Sequence, residues 1–260
     1  MKKIGEKIRK TLEPKVLQSE SATEFVCLNC GHQLVGNFCS LCGQAADVER
    51  YAFGSFSREL YHGLRKVDIS ATFVTIIELL KRPSEFLRGY LAGRRVGYAG
   101  PIKFFFYALI ADILIRQLLQ WITGDLSYAA STTADSKMQV SALVATVIWS
   151  LFWRLLYRRT ELTMAELAIC AIFFESEINF LSTFALVLLV PFRNWIHTDV
   201  ESIFMIDITI TIIYSIYFAR NLFDESWWKL AIKQSLLLVL YMLVIVFALF
   251  GNLLLDSLIQ

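Results

Sequence analysis

The segment "CLNCGHQLVGNFCSLCG", residues 27–43, holds four of the chain's five cysteines as two C-x-x-C pairs eight residues apart. Each pair is followed by a glycine, at Cys27, Cys30, Gly31 and again at Cys39, Cys42, Gly43. A glycine there can take the positive φ that closes the turn, so that two thiolates converge on one ion. Four soft thiolates favour tetrahedral zinc, with iron as the chief competitor. Cys27, Cys30, Cys39 and Cys42 complete the coordination shell, which leaves His32 and His62 as surface residues and leaves no open position for a metal-bound water. The expected zinc is structural rather than catalytic.

A ribbon this short buries almost no core and is expected to be unfolded without its metal, because the binding energy serves as folding energy. Zinc ribbons bind nucleic acid, bind proteins or cap a structure. Between Phe25 and Gln44 there is no Lys or Arg, which disfavours nucleic acid and leaves a protein partner or a structural cap.

A second set of residues with chemical potential lies in apolar surroundings. Asp112 and Arg116 are four apart and share a helical face, where they can neutralise each other. In "AELAICAIFFESEINFLSTFALVLLVPF", Glu175 and Glu177 sit near the centre of an apolar run, followed by Asn179, with Glu166 at its start. Two residues apart, the central carboxylates project to different sides of a helix. An ionisable group at membrane depth costs about 2.5–3.5 kcal/mol on insertion scales, so it is turned inward or used. A carboxyl group held neutral there is what a proton or cation relay uses; pairing with Arg116 or Arg154 is the structural alternative. Asp207 is expected to be hydrated near the outer interface, Cys170 reads as a small core residue, and His197 falls in an outer loop. No G-x-S-x-G, Walker loop, H-E-x-x-H or dinucleotide fingerprint occurs in the chain.

The elements that position these groups follow from the hydrophobic pattern. The chain has 260 residues, of which 56% are hydrophobic, and the formal net charge is only +2. Apolar runs concentrate after Pro101 and predict five membrane-spanning helices at about 102–122, 140–157, 165–190, 202–219 and 230–250. The second is interrupted by Arg154, so four spans with a re-entrant segment satisfy the same pattern. Lys and Arg near the spans alternate. The approach to the first span is rich in them, the next loop has only Lys137, the second loop Arg154, Arg158 and Arg159, the third Arg193, and the fourth Arg220, Lys229 and Lys233. The positive-inside rule then puts the N-terminal hundred residues in the cytoplasm and Gln260 outside. The basic opening "MKKIGEKIRKTLEPK" is followed by no apolar run of signal-peptide length, which agrees with that orientation. Reduced thiols are expected in such a compartment. Trp195, Trp227 and Trp228 fall at predicted membrane edges.

The predicted organisation is a polar tail over 1–24, a zinc ribbon over 25–46, cytosolic juxtamembrane amphipathic helices over 47–101 and a transmembrane bundle of about five helices over 102–260. The fold class is an all-α membrane protein with a small N-terminal ribbon. Within the juxtamembrane section, "ATFVTIIELLKRPSEFLRGYLAGRR" aligns Phe73, Ile76, Ile77 and Leu80 along one helical stripe. Pro83 restarts a second helix with Phe86, Leu87, Tyr90 and Leu91 on one side. Lys81, Arg82, Arg88, Arg94 and Arg95 beside these apolar residues fit a helix lying in the membrane interface with its cations near lipid head groups. A helix packed on the cytosolic ends of the spans satisfies the same pattern. Gly89, Gly93 and Gly97 recur every four residues, but the intervening arginines point to helix breaking rather than a membrane GxxxG contact.

The order of these features, C-x-x-C-G, then "GNFCSLCGQ", then "LLKRPSEFLRGYLAGRRVGYAGPIKFFFY", then several spans, resembles a bacterial family of membrane proteins known only as a domain of unknown function. The resemblance covers about residues 27–120. Its most specific part is carried by Arg82, Pro83, Tyr90, Leu91, Gly93, Arg95, Pro101 and Phe104. It implies a zinc-ribbon head on a multi-span bundle in the cytoplasmic membrane, and no reaction or substrate. Three functions remain in view: a membrane scaffold or sensor whose ribbon contacts a protein, a small transporter or channel using Glu175, Glu177 and Asp112, and an interfacial enzyme holding lipid head groups with its arginines.

Overall fold

In the computed structural model the chain is helical, and the residues described are 25–48, 68–124, 146–158, 160–190, 200–223, 225–240 and 243. The expectations placed on the tail before residue 25, and on His62, Lys137, Arg193, Trp195, His197 and Gln260, lie outside them. The helices are α1 (Ile69–Lys81), α2 (Pro83–Leu91), α3 (Pro101–Thr123), α4 (Thr146–Leu156), α5 (Met164–Leu189), α6 (Val200–Phe223) and α7 (227–240). Strand pairing among the described residues consists of two isolated antiparallel bridges, Val26 with Gln33 and Phe38 with Ala45.

Helices α3 to α7 fall where the five spans are expected. Among the described residues, however, α5 alone is long and apolar enough to cross a membrane. Lys103, Asp112 and Arg116 interrupt α3, and the apolar stretches described within α4 and α6 are Thr146–Leu156 and Ile208–Arg220. Of the five expected crossings, one meets both criteria among the described residues.

The chain divides into two compact units, one within Met1–Tyr107 and Arg159–Phe173, the other within Ala108–Arg158 and Phe174–Gln260. In the first unit, Asp68 caps α1 by accepting from the Ala71 amide at 3.0 Å. Thr75, fully buried, donates to the Ala71 carbonyl at 2.7 Å and accepts from the Ala99 amide at 2.9 Å. That bond ties α1 to the chain just before α3. Pro83 opens α2, where its missing N–H costs nothing. Phe86 and Tyr90 of α2 and Phe104 of α3 surround Phe173 at ring distances of 5.2, 5.1 and 5.7 Å. The apolar side of α2 therefore faces the protein. α1 does the reverse. It buries Ala71, Thr72, Thr75 and Leu79, and exposes Ile69, Phe73, Val74, Ile77 and Leu80.

In the second unit, Phe174 packs on Trp149, Trp153, Tyr214 and Phe218 at ring distances between 5.1 and 5.8 Å. α7 is fastened to the turn that ends α4 by Gln234, which donates to the Tyr157 hydroxyl at 3.0 Å, and by Lys233, whose ammonium lies 4.4 Å from the Tyr157 ring.

Candidate metal centre

Residues 25–46 form two copies of one turn, twelve positions apart. In the first, the Cys27 amide donates to the His32 carbonyl at 2.8 Å and the Gly31 amide to the Cys27 carbonyl at 2.9 Å. In the second, Cys39 donates to the Gln44 carbonyl at 2.7 Å and Gly43 to Cys39 at 2.9 Å. Gly31 and Gly43 both have φ of 75°, in the left-handed region that L residues with a Cβ avoid. The turns therefore form as the C-x-x-C-G pattern requires.

The four sulfurs lie within 4.8 Å of one another, with Cys27 to Cys42 at 3.6 Å and Cys30 to Cys39 at 3.5 Å. A tetrahedral ion with sulfur ligands at about 2.3 Å would hold them roughly 3.8 Å apart. One ion fits. The electrostatics ask for it. The backbone amide of Cys42, helped by that of Leu41, stabilises the Cys39 thiolate and brings its pKa down to about 6. At Cys30 the His32 amide acts in the same direction, but desolvation and the three neighbouring thiols outweigh it and push the value up to about 12. A second negative sulfur is resisted without a cation between them. The His32 side chain is exposed and stands outside the cluster, as expected.

The ribbon is seated on the turn that follows α2. Gly93 has φ of +108°, and a Cβ built there would stand 2.8 Å from Leu28 Cδ1 and 3.3 Å from Val48 Cγ1. Only a residue without a side chain lets Leu28, inside the first C-x-x-C, and Val48 approach so closely. Beside it the Arg95 amide donates to Gln44 Oε1 at 3.2 Å, and Gln44 is only 4% exposed. Gly97 also has positive φ, +89°. Gly93 and Gly97 thus lie in the break between α2 and α3, as expected, whereas Gly89 is inside α2 and does not interrupt it.

This places the residues of the R-P, Y-L-x-G-x-R and P-x-x-F pattern in a physical order. Pro83 and Pro101 open helices, Tyr90, Leu91 and Phe104 are buried beneath, and Gly93 and Arg95 receive the ribbon. The arginines differ in setting: Arg82 is exposed and pairs with Glu85 at 3.4 Å, Arg94 is exposed, Arg88 is half-buried, and Arg95 lies 6.0 Å from the Tyr90 ring.

The polar groups of the apolar helices separate into two kinds. Arg116 Nε donates to both carboxylate oxygens of Asp112 at 2.8 Å, and Thr183 on α5 donates to Asp112 Oδ1 at 2.9 Å. This bond from α3 to α5 satisfies Asp112 internally. Glu166 is likewise held by hydrogen bonds within the chain. Its carboxylate accepts from the Thr163 amide at 2.8 Å and hydroxyl at 3.0 Å, while its own amide donates to Thr163 Oγ1 at 3.3 Å. That is a capping box at the start of α5, signalled in the sequence by Thr163-x-x-Glu166. Cys170 is fully buried, as a small core residue.

Glu175 and Glu177 diverge as their spacing dictates: Glu175 is half-buried and Glu177 is 0% exposed. Neither Glu177 oxygen has a hydrogen-bond partner among the described residues. Arg116 is engaged by Asp112, and Arg154 is exposed. Trp227 and Trp228 are exposed at the start of α7.

Among known proteins, neither curated sequences nor solved structures give a match to this chain. Residues 72–111, from α1 into α3, match the family model described as Protein of unknown function (DUF3667), and that stretch contains the Gly93 seat on which the four-cysteine ribbon rests.

Proposed function

We propose that the protein is a multi-pass protein of the cytoplasmic membrane whose zinc-loaded ribbon is a cytosolic protein-contact module, and that the first surface it contacts is the chain's own Gly93 turn. The observation that carries this reading is the close seating of Leu28 and Val48 on Gly93, with Gln44 bonded to Arg95. Four cysteines without an open position favour zinc in a structural role. The ribbon then works as a metal-dependent cap, in a scaffold or sensor, that transmits metal state to the element beneath it.

The membrane part of the reading is supported by more than α5. Apolar residues face outward at four-residue steps on α3 (Ile110, Leu114, Leu118) and on α4 (Val147, Leu151, Leu155). The same unit turns polar side chains inward, including Ser150, Ser176, Glu177, Thr183, Ser215 and Gln234. Apolar outside and polar inside suits a solvent of lipid. The alternation of Lys and Arg between the hydrophobic segments supports a cytosolic N-terminus and an outer C-terminus.

The test uses the full chain in lipid nanodiscs. Stripping the metal with a chelator should raise amide hydrogen exchange in residues 89–98 together with 25–48. Unchanged exchange at 89–98 after the metal has left would refute the cap.

One observation favours a second reading, a small transporter or channel: the buried Glu177 carboxyl group without a hydrogen-bond partner among the described residues. Proteoliposomes carrying a pH-sensitive dye should then show proton flux above that of protein-free vesicles and lose it in Glu177→Gln. Flux that survives the substitution excludes Glu177 as the relay.

A further inference from the structure

Helix α1 is folded with the face of high apolarity turned away from the protein. At about 100° per residue, Ile69, Phe73, Ile76, Ile77 and Leu80 share one face with Val74 at its flank. Ala71, Thr72, Thr75 and Leu79 share another, turned about 120° from the first, and these are the buried residues; Ile76, nearest to them, is half-buried. Phe73 is 61% exposed and Ile69 64%. In a water-surrounded domain the larger apolar side chains would turn inward and the threonines outward.

The roll of the helix is fixed by a bond rather than by loose packing. Thr75 on the inner face holds the Ala99 amide and is fully buried, so the outer stripe cannot turn in without breaking that bond and stranding two buried polar groups.

The occupant of the stripe follows from what shares its unit. That unit contains the first turns of α5, the membrane-capable helix, and Phe86, Tyr90 and Phe104 grip Phe173 on it. α1 is thus built into the same body that holds the entry of α5 into the hydrocarbon. The outer stripe from Ile69 to Leu80 carries no acidic residue; Glu78 lies on the far side of the helix, half-buried. At its end stand Lys81 and Arg82, both exposed. An apolar face closed by cations matches a leaflet of acyl chains beneath anionic phosphates.

We infer that α1 lies in the cytoplasmic leaflet with Phe73 and Ile77 among the acyl chains, as an interfacial anchor beside the ribbon's seat, while α2 remains a packed internal helix. This rests on the membrane reading above. It divides the two juxtamembrane helices between the two roles their sequence allowed.

The experiment places the photocrosslinker p-benzoylphenylalanine, one site at a time, at Phe73, Ile77, Glu78 and Leu114 of the full chain. Each variant is reconstituted in vesicles of phosphatidylethanolamine and phosphatidylglycerol, and its acyl-chain adducts are measured by mass spectrometry. The expected result is adducts at 73 and 77 with yields comparable to position 114, and their loss at 78. Adducts at 114 without adducts at 73 and 77 overturn the anchor and leave the membrane reading standing. Absence at 114 as well overturns both. A covalent dimer through 73 or 77, or capture of another protein at these positions in intact cells, overturns lipid as the occupant. Equal labelling at 78 overturns the assigned face.

Discussion

Replacing Gly93 by alanine tests the seat of the ribbon with one methyl group. Two costs arise. At φ of +108° an alanine is strained, by about 1–3 kcal/mol for a backbone held outside its populated regions. The new Cβ also meets Leu28 Cδ1 at 2.8 Å, with Leu28 Cβ and Val48 Cγ1 at 3.3 Å. Leu28 Cδ1 ends a flexible side chain and can rotate away, at about 0.5–1.5 kcal/mol if the rotamer is forced off its well. Val48 and Leu28 Cβ must shift by a few tenths of an ångström. The sum is about 1.5–4.5 kcal/mol against the docked arrangement, which lowers the docked-to-undocked ratio roughly 10- to 1,600-fold. Metal binding should survive, since the Gly31 and Gly43 turns and the four sulfurs do not involve Gly93. Native-state hydrogen exchange in nanodiscs reads the effect: residues 89–98 lose protection in Gly93→Ala while one metal ion per chain is retained. Leu28→Ala in the same background should restore part of the protection, because it removes the clash and leaves the backbone strain. The coupling from the double-mutant cycle should be nonzero. Unchanged exchange at 89–98 in Gly93→Ala, or a double mutant that behaves as the sum of the singles, would refute the reasoning.

Further outcomes follow from the same contacts. Cys27→Ser or Cys39→Ser should abolish stoichiometric metal binding, and cobalt substituted into the unaltered chain should give the absorption of a tetrahedral tetrathiolate; an octahedral spectrum would contradict the geometry. Thiolate ligands must be deprotonated, so the metal is held at neutral pH and released as pH falls, which a metal-indicator titration of the full chain will show. Glu166→Ala and Thr163→Ala should each lower thermal stability by about 0.5–2 kcal/mol, and the double mutant by less than the sum, since the two residues cap each other. Asp112→Asn, which leaves the Arg116 guanidinium without its anion, should destabilise more than Thr183→Ala; denaturation in detergent ranks them.

Much of the site was legible because its geometry is local. Two C-x-x-C-G units dictate their own turns, and the positive φ at Gly31, Gly43, Gly93 and Gly97 follows from glycine wherever a helix or knuckle must close. The Asp112 and Arg116 pair is an i,i+4 relation that any helix would make. The Thr163-x-x-Glu166 box was equally local, yet Glu166 is easily grouped with the carboxylates of the apolar run when charge is weighed before capping.

What tertiary structure decided was long-range or a matter of sides. Gln44 and Arg95 are 51 positions apart, and Thr183 and Asp112 are 71 apart, so no spacing rule connects them. Periodicity showed that α1 and α2 each carry an apolar stripe, but not which way each stripe faces. In water that question has one answer, because apolar surface turns from solvent; beside a bilayer both directions are open. The Thr75 bond to Ala99 settled it for α1, and the rings around Phe173 settled it for α2. Helix formation and metal-turn geometry are written in neighbouring residues. The roll of a helix is set only when a distant partner fixes one of its faces.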